Sequence, residues 1–410
     1  MRILWLKTEL LHPVDKGGRI RTYQMLRALR RDHTVSYLTL DNGGAAPDAV
    51  ERAHEYCQEL ERIPFRETPK DSPRLFADLA ANLLSPLPYA VAKYASPQMR
   101  RRVVERVAQG DVDVLVCDFL FPSQNVPRGL SCPTVLFQHN VEAEIWRRHT
   151  EVAQSAVRRA YFQEQWRRMR RFEGSECRRF DHVVAVSEGD AALMRSAYGL
   201  AECSSVPTGV DTEYFRPEPG RVQQPLELVF TGALDWMPNE DAIEFFANEV
   251  LPLLHREEPG ITLTVVGRNP TSRLKALASR QPALTLAGAV PDVRPYMNRA
   301  AAFIVPIRVG GGTRLKIFEA MSMSLPVITT TVGAEGLPVT PGVHALFGDT
   351  AAEFAAAVLA VLRDPARARA LADAASAHVL ANFGWDRVAQ QFASICESVA
   401  TGRSRHPEAA

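Results

Sequence analysis

Short apolar, β-branched runs alternate along this chain with longer stretches of helical periodicity, and that alternation restricts the fold more than any other feature. Runs of this kind separated by helices read as βα units feeding a parallel sheet. They come in two series. The first holds residues 1–6, 34–40, 112–117, 134–137 and 183–186; the second holds 226–230, 261–266, 284–287, 302–306 and 326–329. Between the series lies a Pro- and Gly-rich stretch at 216–225, and most strands of the second series run into Gly, Pro or Thr. A chain of 410 residues also exceeds what one hydrophobic core usually organises. The expectation is therefore an α/β protein of two domains, residues 1–215 and 216–385, each Rossmann-like with a parallel sheet. An Ala-rich helical stretch covers 351–381. A last amphipathic helix within 386–402 is expected to pack back on the N-terminal domain.

Doubly wound sheets bind ligands beyond the carboxyl ends of their strands, so two of them would enclose a cleft and the strand-to-helix loops become the places to search. The first such loop is Asp15-Lys-Gly-Gly-Arg19, before a helix expected to begin near Thr22. Gly17 and Gly18 let the backbone approach a diphosphate, and free amides at a helix start favour negative charge. The richest loop is Val309-Gly-Gly-Gly-Thr-Arg-Leu-Lys-Ile-Phe-Glu319. Gly310, Gly311, Gly312 and Thr313 form a bare, amide-rich anion site. Arg314 and Lys316 add two cations where the helix dipole disfavours them, so an anion is expected to compensate. Glu319 shares the helical face of Lys316 and could simply pair with it, which would leave the glycines unexplained. The chain has six lysines against 42 arginines, yet Lys16 and Lys316 both fall in Gly-rich loops, as suits a compact charge on phosphate. His139 directly follows an apolar strand, at the expected cleft, where imidazole can donate to a sugar hydroxyl or a developing charge.

Other chemistries are disfavoured. With 48 basic and 47 acidic residues the net charge is +1, which supplies no global field for nucleic acid. Six scattered cysteines without a C-x-x-C pair argue against a zinc site or a disulfide framework and suit a reducing cytoplasm. No signal-peptide core or membrane-spanning run is evident, so neither secretion nor membrane insertion is expected. Asp111-Val-Asp113 imitates a metal-binding motif but leads into an apolar run and reads as the start of a strand, so no metal is implied.

Taken with the Gly17-Gly18 loop and His139, further segments give the chain a family likeness. They are Ala185-Val-Ser-Glu188, Val206-Pro-Thr-Gly-Val-Asp211 with Phe215 and Pro217, Phe230-Thr-Gly232, Val265-Val-Gly267, Gly288-Ala-Val290, Glu319-Ala-Met321, Pro326-Val-Ile328 and Gly333-Ala-Glu-Gly-Leu337. In this order, over about residues 1 to 400, the sequence resembles the retaining GT-B glycosyltransferases of family 4. The closest likeness is to sugar transferases of bacterial exopolysaccharide clusters. The resemblance implies two Rossmann-like domains facing across a cleft and transfer of a sugar from UDP or GDP to a glycan or lipid-linked acceptor, with retention of configuration. It implies that Glu319 holds the ribose hydroxyls, that the segment around Val290 meets the base, and that Gly18 and residues 311–313 lie against the diphosphate and donor sugar. His139 would contact the transferring sugar.

Two departures bear on the site. The family usually has two glutamates eight residues apart, and the first position here is Gly311. It also often carries an Arg and a Lys just after the first strand of the second domain, where this chain has Ala233 and Pro238, close to Gly232. Arg314 and Lys316 are the candidates to supply the missing charge. Alternatives on the same fold are a nucleotide-sugar epimerase or phosphorylase, or a nucleotide-binding subunit without catalysis. Finally, residues 157–179 hold eight arginines against three glutamates, with Phe162, Trp166 and Met169 at helical spacing. A helix of that kind can lie on an anionic membrane, or pack its aromatic stripe on its own domain. The expected location is the cytoplasm, with peripheral contact at the inner membrane face.

Overall fold

The computed structural model describes residues 1–69, 72–152, 155–310 and 314–402. The chain divides into two compact units. Unit 1 is Met1–Pro207 together with Val388–Ala410, and unit 2 is Thr208–Arg387. The division falls about eight residues before the Pro-rich stretch, because the segment after Pro207 already belongs to unit 2: Val210 bridges Gly384, and Trp385 packs where a side chain on Gly209 would stand.

Among the described residues unit 1 has seven strands, β1 Arg2–Lys7, β2 Thr34–Asp41, β3 Glu59–Pro64, β4 Val114–Asp118, β5 Thr134–Phe137, β6 His182–Ala185 and β7 Cys203–Ser205. Unit 2 has six, β8 Gln224–Thr231, β9 Thr262–Val266, β10 Leu284–Gly288, β11 Ala300–Val305, β12 Val327–Thr329 and β13 Leu346–Phe347. All pairings are parallel, in the orders β3-β2-β1-β4-β5-β6-β7 and β10-β9-β8-β11-β12-β13. Both sheets therefore start in the middle, wind outward, return and wind the other way, which is the Rossmann topology. Central strands covered by helices on both faces carry continuous apolar runs: Ile3, Leu4, Trp5 and Leu6 are all buried, as are Leu228, Val229 and Phe230.

Three strands fall outside the sequence expectation, and all lie at sheet edges. Glu59–Pro64 reads Glu-Leu-Glu-Arg-Ile-Pro and is mostly solvated; the other two are three and two residues long. Edge strands are held by backbone pairing and need no apolar run. The first helix starts at Gly17 rather than near Thr22, with Lys16 at its N-cap and no side-chain cap. The Ala-rich stretch is two helices, Ala351–Arg363 and Pro365–Asn382, divided where Asp364 accepts from the Arg367 amide and Pro365 ends the preceding ladder. The final helix, Trp385–Ala400, enters unit 1 from Val388, where the Phe392 ring lies 5.6 Å from that of Trp5 and 5.0 Å from that of Phe137.

Candidate functional site

In an open α/β sheet the crevice lies beyond the carboxyl ends of the two strands where the winding reverses. Those strands are β8 and β11 in unit 2, and β1 and β4 in unit 1. Each pair carries a charged cluster, and the two clusters differ in kind.

At the unit 2 crevice, β8 ends into Gly232, whose φ of +153° brings the chain hard against the next loop. A side chain on Gly267 would meet the Gly232 carbonyl oxygen at 1.7 Å, so the close approach of these two backbones requires glycine at 267, while the positive φ favours it at 232. Opposite stands the helix Leu315–Ser322, with Arg314 at its N-cap. Lys316 Nζ lies over the Phe230 ring at 4.1 Å and donates to Asn239 Oδ1 at 2.9 Å; Asn239 in turn donates to the Ala233 carbonyl at 2.8 Å. A Cβ on Gly232 would stand 2.6 Å from Lys316 Nζ. The lysine thus occupies the space beside the loop 232–239, where Ala233 and Pro238 provide no cation. Arg314 is buried, its guanidinium 5.1 Å from the Trp236 ring.

Burial pushes the Lys316 ammonium down to about 7, Glu319 pulling it up and Arg314 adding to the fall. Burial likewise pushes the Glu319 carboxyl up to about 7, against the pull of Lys316. No salt bridge within 4.0 Å joins the two among the described residues, so the pairing that would have made Glu319 a structural partner is not formed. The crevice therefore holds groups of both signs whose ionisation a ligand's charge would change. Gly311, Gly312 and Thr313 lie outside the described residues. Val290 follows β10 at the sheet edge, half-buried against the unit 2 core.

At the unit 1 crevice the cluster is closed. Asp118, at the end of β4, is fully buried; its Oδ2 accepts from Lys7 Nζ at 2.8 Å, from Thr22 Oγ1 at 2.6 Å and from Trp5 Nε1 at 3.0 Å. Burial opposes its ionisation, but the Lys7 ammonium and the His139 contact outweigh that and hold the carboxyl low. His139 is 3% exposed, stacked on Phe119 at 3.8 Å, with Nε2 2.7 Å from Asp118 Oδ1. Burial pushes the imidazole down to about 3, so it is neutral at physiological pH despite the carboxylate. The expected location at a strand end is correct, but a freely exposed donor is not what the fold produces: one nitrogen faces Asp118, and Nδ1 has no hydrogen-bond partner among the described residues. Gly18 closes on the same Phe119 ring, 3.0 Å from its ideal Cβ position, while Gly17 is exposed at the start of its helix.

The structure therefore gathers Gly232, Arg314, Lys316 and Glu319 in unit 2, and Gly18 with His139 in unit 1. Sequence reading missed Asn239, Lys7, Thr22 and Asp118. Asp118 ends an apolar run and could have been found from its position at the central crossover. The Asp111-Val-Asp113 pair supplies no cluster: Asp113 accepts from the Arg2 amide at 2.7 Å and from its guanidinium at 2.7 Å, tying β4 to β1.

Comparison with known proteins gives the family. Residues 16–214 match the family model described as Glycosyltransferase Family 4, and residues 225–364 match Glycosyl transferases group 1. The chain belongs to the group 1, family 4 glycosyltransferases. Among relatives of this glycosyltransferase, glycogen synthase of Mycobacterium tuberculosis is 29% identical over 225 residues, 51% of each chain. The GDP-mannose-dependent alpha-(1-6)-phosphatidylinositol monomannoside mannosyltransferase of the same organism is 27% identical over 239 residues, 52% of this chain and 61% of that one. The chain thus matches about half the length of these relatives. The solved structure of HepE from Anabaena, in complex with UDP, shares the GT-B fold with a TM-score of 0.68 at 15% identity, over 97% of this chain and 100% of that one.

Proposed function

We propose that this glycosyltransferase moves a sugar from a UDP or GDP sugar to a glycan or lipid-linked acceptor with retention of configuration, in the synthesis of a bacterial surface polysaccharide or exopolysaccharide. The observation that carries the reading is Lys316, held by Asn239 beside Gly232 at the switch point of unit 2, with Glu319 one turn further along the same helix. A lysine kept short of its ordinary charge by burial is a site awaiting an anion. The UDP bound to HepE and the GDP-mannose named for the mycobacterial mannosyltransferase support a UDP or GDP sugar as donor.

In the reaction, the bond from the anomeric carbon to the diphosphate oxygen breaks and the acceptor hydroxyl forms its bond on the same face, its proton passing to the departing phosphate. Negative charge gathers on the diphosphate as the bond breaks, and cations fixed there beforehand lower the barrier. Lys316 and Arg314 take that role, replacing the Arg and Lys that the family often carries after its equivalent strand. Glu319 holds the ribose, Val290 lies toward the base, and Gly17 and Gly18 present helix-start amides to the donor. His139, neutral, offers Nδ1 to the transferring sugar. No resident metal is assigned, since protein cations carry the leaving-group charge. A lipid-linked acceptor would bring the enzyme, from the cytoplasm, to the inner face of the membrane.

Calorimetric titration with UDP, GDP, ADP and their sugar conjugates, with and without magnesium, tests this directly. Selective binding of one diphosphate without metal, weakened in Lys316→Ala, is expected; equal affinity in the variant would remove Lys316 from the site. Release of nucleotide only when an acceptor is supplied distinguishes transfer from epimerisation.

A further inference from the structure

The Arg-rich helix Ala156–Arg179 packs its apolar side inward: Met169, Phe172 and Cys177 are buried in the unit 1 core, and Trp166 lies against it. That side is unavailable to any other partner. Its arginines divide in two. Arg168 is buried, donating to the carbonyl oxygens of Asn82 at 2.7 Å and Leu83 at 3.0 Å, and pairing with Glu164 at 2.8 Å. Arg167, Arg170, Arg171 and Arg178 remain exposed and line a groove of about 370 Å³. Arg170 and Arg171 form no salt bridge among the described residues.

What Arg168 anchors is unusual. The loop after the helix Pro73–Asn82 carries Leu84 at 93% and Leu83 at 55% exposure, and Phe76, two turns before Leu83 and thus on its face, is 72% exposed. A second groove, about 600 Å³, lies between this loop and the arginine helix, with Leu84 and Leu87 on one wall and Arg171 on the other. Arg171 borders both grooves, so the apolar knuckle and the arginines form one continuous face. The protruding apolar side chains are few and stand beside arginines without carboxylate partners among the described residues, Arg170 and Arg171 above all. They suit the shallow apolar layer beneath lipid headgroups, and arginine forks suit phosphate.

We propose that this face of unit 1 docks on an anionic lipid bilayer, with Phe76, Leu83 and Leu84 entering the headgroup boundary while Arg167, Arg170, Arg171 and Arg178 meet lipid phosphates. It goes beyond sugar transfer and does not depend on it, since its readout is binding to lipid.

The full-length protein is tested by co-sedimentation with vesicles of equal parts phosphatidylcholine and phosphatidylglycerol, and with vesicles of phosphatidylcholine alone. Expected is partition to the anionic vesicles only, reduced roughly tenfold by Leu84→Asp and by the pair Arg170→Glu and Arg171→Glu, and weakened by salt. These residues are on the surface, and an unchanged melting temperature shows that the variants fold. Failure to bind anionic vesicles, equal binding to neutral ones, or full binding by Leu84→Asp would each overturn the proposal. Charge-only binding, lost in the arginine variant and kept in Leu84→Asp, would reduce the face to a soluble anion site.

Discussion

The two units share one topology, yet their switch points are built oppositely. In unit 1 a lysine and an aspartate meet in the crevice with every donor aimed at one carboxylate, and both side chains are buried. In unit 2 a lysine and a glutamate stand one turn apart on a helix without meeting, and burial moves both toward neutrality. The difference teaches that identical strand order fixes where charge collects but leaves open whether that charge holds the fold or waits for a ligand. A buried ion pair that closes on itself is a structural element, whereas a cation held by a neutral amide beside a glycine-lined backbone, with no carboxylate in salt-bridge range among the described residues, is a binding element.

The largest effect expected from breaking this contrast is in unit 1. Asp118→Ala leaves the buried Lys7 ammonium without its carboxylate and should cost about 3–5 kcal/mol in urea unfolding. Replacing both partners, Lys7→Met with Asp118→Leu, should recover much of that loss; no recovery would mean that the pair does more than satisfy itself. In unit 2 the expectation is reversed. Lys316→Met should lower kcat/KM by roughly 10²-fold while leaving stability unchanged or raised, because the buried side chain serves the diphosphate and its developing charge rather than the fold. A variant that unfolds instead would make the two crevices alike.

Gly232→Ala should be milder for binding, about tenfold in nucleotide affinity by calorimetry, since the added methyl would lie 2.6 Å from Lys316 Nζ and 2.7 Å from Asn239 Nδ2 and part that pair; at a φ of +153° it should also lower the melting temperature. The pH dependence is smallest and sharpens the contrast further. Lys316 titrates near 7 in the free protein against an ordinary 10.5, so the unfolded chain binds more protons across that window and stability rises from about pH 7 towards 10. That rise should vanish in Lys316→Met. Ligand binding has the other sign: the anion needs Lys316 charged, so affinity falls above pH 7. Binding at pH 8 should take up a proton, seen as a heat that changes with buffer ionisation enthalpy.

Much of the fold was legible in the sequence, because central parallel strands must be apolar on both faces. The run 134–137 coincides with β5, and most others agree within two residues. The edge strand Glu59–Pro64 was not, since its Glu59 and Glu61 are held by Arg102 and Arg106 and only Ile63 enters the core. The unit 2 site was partly legible because Gly232 marks one loop and Arg314, Lys316 and Glu319 directly follow another, at the start of a helix. Asn239 was not, being 77 residues from the lysine it holds, nor was the Lys7–Asp118 pair, 111 residues apart.

The sequence alone determined the two βα series, the glycine-rich loops and the sharing of one helix by Lys316 and Glu319, because each depends on neighbours a few positions away. The tertiary structure decided the rest. Strand order brought Lys7 to Asp118, and burial rather than residue type made His139 neutral. Packing turned the aromatic side of the Arg-rich helix inward and left Leu83 and Leu84 outside. Periodicity says that a helix has two faces, and only the neighbours it meets say which face is covered.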